Sequence, residues 1–202
     1  MKGILMAIRV LGVCGSMRVE SYSGRAVRLA LEAAREHGAE TRLLDLREIR
    51  LPTYDPDEKA PEHEGLKTAT DAVTWADAFF LASPDYHGSM SGAMKNFLDF
   101  YWEEFAGKLF GYVCASHEKG LTVMEQMRTS VRQCYGWSLP YGVSVYGEKD
   151  FNSSGEIINA QVTRRLRMLA RDLVVYGSLI RRQFQTDLAD GAAESFAARY
   201  RA

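Results

Sequence analysis

The 202-residue sequence predicts an α/β fold, an open parallel sheet with helices on both faces. Two observations carry that expectation. Short apolar runs alternate with amphipathic segments five times along the chain, the order of repeated strand–helix units. The first run, Ile8 to Cys14, is apolar almost continuously, as a strand covered on both faces should be. A third observation concerns function. Three loops rich in turn formers follow the first, third and fourth runs. All three lie at carboxyl ends of strands, where open α/β sheets bind ligands.

Residues 1–7 read as a loose leader. The first helix is expected from about Gly24 to His37, with Val27, Ala30, Leu31 and Ala34 on its apolar stripe and Arg25, Arg28, Glu32 and Arg35 opposite. Gly38 stands where helices favour glycine, and a second strand, Thr41 to Leu46, completes a right-handed βαβ unit. Leu51 to Gly65 is a polar loop with Pro52, Asp55, Pro56, Asp57, Glu58, Pro61, Glu62 and Glu64; loops of this length tend to be functional or mobile. A helix follows from about Gly65 to Ala76, then a strand from Ala78 to Ser83. Helix three is expected from about Ser91 to Phe105, strand four from Lys108 to Ser116, helix four from Leu121 to Cys134 and strand five from Leu139 to Tyr146. A polar insert, Gly147 to Gly155, leads to a last helix, Glu156 to Tyr176, and a polar, partly helical tail after Gly177. One domain is expected, with its core in 8–176 and its tail in 177–202. Arg164, Arg165, Arg167 and Arg171 read as a solvated helix face.

Helix three carries Phe97, Phe100, Tyr101, Trp102 and Phe105 around most of its circumference. A thick core would explain this, and so would a subunit interface, where aromatics concentrate. The interface is favoured, because the outer side of a layered α/β domain normally faces water. Lys95 and Asp99 are spaced as an i,i+4 pair.

Composition narrows the classes. Hydrophobic content of 47%, charged content of 25% and a net charge of −1 describe an ordinary globular protein rather than a nucleic-acid binder. No apolar run approaches the roughly 20 residues that span a bilayer, and the first residues lack a secretory cleavage pattern, so a cytoplasmic setting is expected. Cys14, Cys114 and Cys134 form no Cys-x-x-Cys pair, which speaks against a disulfide framework or a metal site. Cys14 and Cys114 close apolar strands, where cysteine acts as a small hydrophobe.

The loop from Gly12 to Ser23 has the chemistry of an anion grip. Ser16, Ser21 and Ser23 supply hydroxyls, Arg18 a charged fork, and the following helix its free N–H groups. A dinucleotide fingerprint would need a third glycine after Gly12 and Gly15, and a P-loop would need Gly-Lys followed by Ser or Thr; both are absent. What remains suits a terminal phosphomonoester. The loop after strand three offers Tyr86 and Gly88, where backbone can approach a flat ring. A phosphate pocket beside a planar pocket at the switch point of strand order indicates FMN.

Two motifs then carry a family resemblance. Gly15-Ser16-Met17-Arg18-x-x-Ser21-Tyr22-Ser23 resembles the phosphate loop of the NADPH-dependent FMN reductases, Gly-Ser-Leu-Arg, two residues, then Ser, an aromatic and usually Asn. Ser83-Pro84-Asp85-Tyr86-His87-Gly88-Ser89, with Gly92, Lys95-Asn96 and Asp99, resembles the second signature of that family. The resemblance covers about residues 8–175. It implies a flavodoxin-like three-layer sandwich with a five-stranded parallel sheet in the order 2-1-3-4-5, bound FMN, NADPH or NADH as hydride donor, and a homodimer or homotetramer. It assigns Ser16, Arg18, Ser21, Tyr22 and Ser23 to the phosphate end. Pro84, Asp85, Tyr86, His87 and Gly88 fall to the isoalloxazine, with Ser116 and His117 at its far edge. On the residues alone, Asp85 reads equally as a turn former and His87 as an exposed loop histidine.

Three departures stand out: Ser23 where Asn is common, His87 in place of Asn, and His117-Glu118-Lys119-Gly120 where the family has several glycines. The last bears on the approach of nicotinamide and acceptor, and Lys119 is a candidate for the 2′-phosphate of NADPH. The expected function is transfer of hydride from NAD(P)H by way of FMN to a small-molecule acceptor such as a quinone, a free flavin, an azo compound or a metal oxyanion. No catalytic acid or base is assigned, because the cofactor carries the chemistry. The alternatives are a non-enzymatic flavodoxin-like electron carrier and a domain of this fold without cofactor.

Overall fold

A computed structural model describes residues 7–58, 62–191, 195–197 and 199. Most of the expected leader, Pro61 in the acidic loop and parts of the tail lie outside the described residues. The strands are β1 (Arg9–Cys14), β2 (Glu40–Asp45), β3 (Ala78–Pro84), β4 (Leu109–Ala115), β5 (Trp137–Ser138) and β6 (Val143–Val145). The helices are α1 (Tyr22–Glu36), α2 (Leu46–Ile49), α3 (Glu64–Trp75), α4 (Gly92–Asp99), α5 (Leu121–Gln133), α6 (Gly147–Asp150) and α7 (Ala160–Ala189). All pairings are parallel, in the order β2-β1-β3-β4-β5, with β6 also on β4. This is the expected flavodoxin-like topology, with its switch point between β1 and β3.

Alternation along the strands sends side chains into two cores. Val10, Phe80 and Val113 pack under α1 and α7 with Val27, Leu31, Leu166 and Leu173. Leu11, Val13, Phe79, Leu81 and Tyr112 pack under α3, α4 and α5 with Val73, Met94, Phe97 and Met127. β3 is buried at every position, which is why its sequence shows no alternation of polarity.

The expected strand five, Leu139 to Tyr146, is shortened to β6, and β5 pairs just ahead of that range on the same edge of β4. Pro140 lies in the break and has no N–H to donate to a ladder. Gly142 passes so close to β4 that a Cβ there would stand 2.8 Å from the Tyr112 carbonyl oxygen.

Helix three is also corrected. It is α4 followed by a single 3₁₀ turn, Glu103–Phe105. Phe97, Tyr101 and Phe105 are buried within this chain, against Phe79 and Phe110. The interface reading therefore fails for these three, whose rings fill the space that the short helix leaves above the sheet. Trp102 is exposed and Phe100 half-buried, with the Tyr54 ring edge-on to Phe100. Lys95 and Asp99 form the expected surface pair.

The last helix starts later than expected, capped by Asn159, and runs past Gly177. Gly177 is not a stop. It lets α7 lie close to the amino end of the sheet, where a Cβ would stand 2.7 Å from Ile8 Cδ1. Beyond it Arg181 reaches Asp77 at 3.3 Å and donates to the Ala7 carbonyl at 3.2 Å. These contacts offset the roughly 1 kcal/mol that glycine costs inside a helix.

Candidate functional site

The loops after β1, β3, β4 and β6 converge at the carboxyl edge of the sheet. The first two flank the switch point and are tied together. The Ser91 hydroxyl donates to the Gly15 carbonyl at 2.5 Å and accepts from the Met94 N–H at 3.1 Å, capping α4. The Ser91 N–H donates to Ser83 Oγ at 3.0 Å, and the Ser83 hydroxyl donates to the Pro84 carbonyl at 2.8 Å. Gly15 must be small here, because a Cβ would meet Met94 Cβ at 2.8 Å. A cap serine before a helix is readable in sequence; its bond to a loop 76 residues away is not.

Residues 17–20 of the first loop are exposed. The N–H groups of Val19, Glu20, Ser21 and Tyr22 meet no acceptor among the described residues. They precede or open α1, whose first turn contains no acidic residue. Arg18 makes no ion pair among the described residues. Free helix-terminal N–H groups and an unpaired guanidinium form a donor set for a phosphate.

The serines divide by role. Ser16 is buried and its Oγ accepts the Arg18 N–H at 3.2 Å, leaving its hydroxyl hydrogen uncommitted. Ser21 Oγ caps α1 by accepting the Gly24 N–H at 3.1 Å, and it bonds Ser23 Oγ at 3.0 Å. Ser23 is fully buried and supports Ser21 through that bond. Tyr22 is half-buried, its ring tilted against Phe151 at 4.9 Å, so it braces the first loop against the segment after β6.

After β3 the chain makes a tight reversal. The Tyr86 N–H donates to the Ser89 carbonyl at 3.0 Å, and the Ser89 N–H to the Tyr86 carbonyl at 3.1 Å. His87 and Gly88 occupy the two central positions at φ 58° and 76°, the left-handed pair that a two-residue turn of this hand needs. Pro84 is buried, whereas Tyr86, His87 and Gly88 are exposed. Asp85 is a turn former: its Oδ1 accepts the Gly88 N–H and its Oδ2 the Ser116 hydroxyl, each at 2.8 Å. Ser116 is buried and also accepts the Glu118 N–H at 3.0 Å. Asp85 thus joins the loops after β3 and β4.

His117 is exposed and stands edge-on to the Tyr146 ring at 5.2 Å. Tyr146, at the end of β6, belongs to this rim and was missed, since one aromatic ending a strand carries no signal. Lys119 lines a cleft of about 540 Å³ together with Asp85, Gly88, Glu118, Gly120, Leu121 and Thr122.

Burial pushes the Cys114 thiol up to about 12, and the nearby Asp85 charge adds to the shift. Cys14 is raised for the same first reason. Neither is a nucleophile at neutral pH. Tyr112 is likewise pushed up to about 12 by burial. The linkage has a definite sign. Unfolded thiols lose their protons near pH 8.5 and tyrosines near pH 10, while the folded groups keep theirs to about 12. Their contribution to stability is complete below about pH 8.5 and is lost progressively up to about pH 12. Urea midpoints should therefore fall between pH 8 and pH 10.5, and Cys114→Ala should flatten that slope.

Residues 8–150 match the family model described as NADPH-dependent FMN reductase. The chain belongs to this family. An NAD(P)H-dependent FAD/FMN reductase of Geobacillus thermodenitrificans is 24% identical over 178 residues, 83% of this chain and 92% of that one. An FMN-dependent NADPH-azoreductase of Staphylococcus aureus is 26% identical over 188 residues, 87% and 95% of the two chains. Among solved structures, the flavoenzyme NAD(P)H:(acceptor) oxidoreductase FerB from Paracoccus denitrificans superposes with a TM-score of 0.72. Its identity is 18%, with 86% of this chain and 98% of that one covered. As a member, the protein is an NAD(P)H-dependent FMN reductase, with FMN and NAD(P)H as its cofactors. The donor set of residues 16–22 fits a phosphomonoester, and the exposed turn at 86–88 fits the approach of a flat ring. No helix among the described residues is long and apolar enough to cross a membrane.

Proposed function

We propose that FMN seats its phosphate on the loop 16–22 and its ring beside the turn 84–88, and that the enzyme passes electrons from NADPH or NADH to a small-molecule acceptor. The single observation that supports this placement is the Ser83–Ser91–Gly15 tie. It makes the phosphate grip and the ring rest one unit across the switch point. Arg18 and the free N–H groups hold the dianion. The backbone of Tyr86, His87 and Gly88 meets the ring edge, with Ser116 and His117 at the far side. FMN, when bound, supplies two-electron acceptance from nicotinamide and donation to the acceptor.

A quinone, a free flavin, an azo compound or a metal oxyanion are the acceptor classes, the azo class being supported by the named activity of the Staphylococcus aureus relative. Lys119 in the cleft beside Gly88 is the cation that would meet the 2′-phosphate of NADPH. In the expected homodimer or homotetramer, Trp102 and Phe100 remain the aromatics of the predicted third helix open to a partner.

The test is a visible spectrum. Purified protein loaded with FMN should lose its flavin absorbance on addition of one equivalent of NADPH without oxygen. It should regain that absorbance when a quinone is added. No bleaching by NADPH or NADH would sink the proposal.

A further inference from the structure

The turn after β3 is located by a residue outside both motifs. Gln126, half-buried on α5, bonds three successive residues of the loop. Its Oε1 accepts from the Ser89 hydroxyl at 2.8 Å and from the Met90 N–H at 3.3 Å, and its Nε2 donates to the Gly88 carbonyl at 3.3 Å. Its own backbone is fixed, because Val123 and Met127 on the same helix are buried in the core.

The reciprocal Tyr86–Ser89 bonds close the turn but do not place it. Its tip, residues 86–88, is exposed and has little packing to hold it. Placement comes from two sides. Asp85 and Ser116 hold it from the β4 loop, and Gln126 holds it from α5. With Gln126 removed, the exposed tip between Asp85 and the buried Met90–Ser91 anchor loses its only tie to α5 among the described residues.

We infer that Gln126 is a positioning residue for the flavin ring. It sets where the Tyr86–Gly88 backbone stands, and so the affinity and orientation of the ring, without touching the phosphate end. Binding sites work within roughly 0.5 Å of their productive geometry, so a loosened support is felt by the ligand. This inference rests on the assignment of the 84–88 turn to the ring.

The experiment compares FMN with riboflavin, which has the same ring and no phosphate. Dissociation constants come from flavin fluorescence titrations of the full chain, with visible circular dichroism of bound flavin and the melting temperature of flavin-stripped protein alongside. Gln126→Ala should weaken both ligands by the same factor, about tenfold, the equivalent of one hydrogen bond. It should change the circular dichroism at saturation and leave the melting temperature nearly unchanged. Gln126→Glu keeps the acceptor for Ser89 and Met90 but sets a carboxylate against the Gly88 carbonyl, and should fall between. Gly88→Val is the control on the underlying assignment, since a β-branched residue at φ 76° breaks the turn. If Gly88→Val abolishes flavin binding while Gln126→Ala leaves both constants and the dichroism unchanged, the inference is wrong and the site stands. If Gly88→Val also binds normally, the turn is not the ring site and both fail. A large fall in melting temperature in Gln126→Ala, with no recovery in Gln126→Glu, assigns the residue a purely structural role and likewise overturns the inference.

Discussion

Arg18→Ala is expected to weaken FMN binding about 30-fold, because a charged hydrogen-bond donor to a phosphate contributes about 2 kcal/mol. Riboflavin affinity should not change, since the proposed contact of the fork is to the phosphate alone. Thermal stability should not change either: Arg18 is exposed and makes no ion pair among the described residues, so its removal strands no buried partner. The contribution is also screened, so the difference between wild type and variant should shrink as salt rises. Isothermal titration with FMN at two ionic strengths measures both effects. An unchanged FMN affinity at low salt would refute the assignment of the phosphate to this loop.

Phe105→Ala should destabilise the chain by about 3–5 kcal/mol, the range for emptying a fully buried aromatic site. Phe105 is 1% exposed and stands edge-on to Phe79 at 5.5 Å and to Phe110 at 5.2 Å. Tyr101 and Phe97 close the remaining sides. These rings cannot move into the void together, because Phe79 and Phe110 sit on paired strands at the sheet centre. For a chain of this size the loss corresponds to a fall in melting temperature of roughly 10 °C. The association state, read by sedimentation at low temperature, should stay as in the wild type. An interface residue would give the reverse: altered assembly and a subunit of undiminished stability. The two outcomes separate the core position of Phe105 from the interface expected of it from sequence.

The misreading of that helix has a physical cause. An aromatic on every side of a helix implies burial on every side only if the helix continues. Here α4 ends at Asp99, and the chain folds over its own rings. Gly177 misled for a related reason: glycine both ends helices and lets them approach a sheet, and only the packing of Ile8 distinguishes the two. By contrast, the parallel α/β class was legible in the alternation of strands and helices, and the strand order 2-1-3-4-5 came with the family resemblance. Within the site, sequence revealed groups with a local function. Arg18, Ser21, His87 and Gly88 belong to motifs within a few positions, and the structure adds the αL turn at 87–88 and the Ser21 cap. Ser83, Ser91, Gln126 and Tyr146 act through contacts between distant segments, and an isolated serine or glutamine carries no sign of that. Asp85 could be read as turn former or ligand contact; the bonds to Gly88 and Ser116 settle its structural role.

The length of α7 separates the molecule into two poles. Its 30 residues extend roughly 45 Å, whereas the seven residues of β3 extend roughly 23 Å. Gly177 marks the level at which the sheet ends, and the remaining turns overhang, with Phe184 seated over Gly107. The overhang, the edge at Trp137 and the cavity between them therefore lie at the pole opposite the loops after β1 and β3. Substitutions there can remodel how the protein meets other surfaces while the loops proposed to hold the flavin keep their geometry.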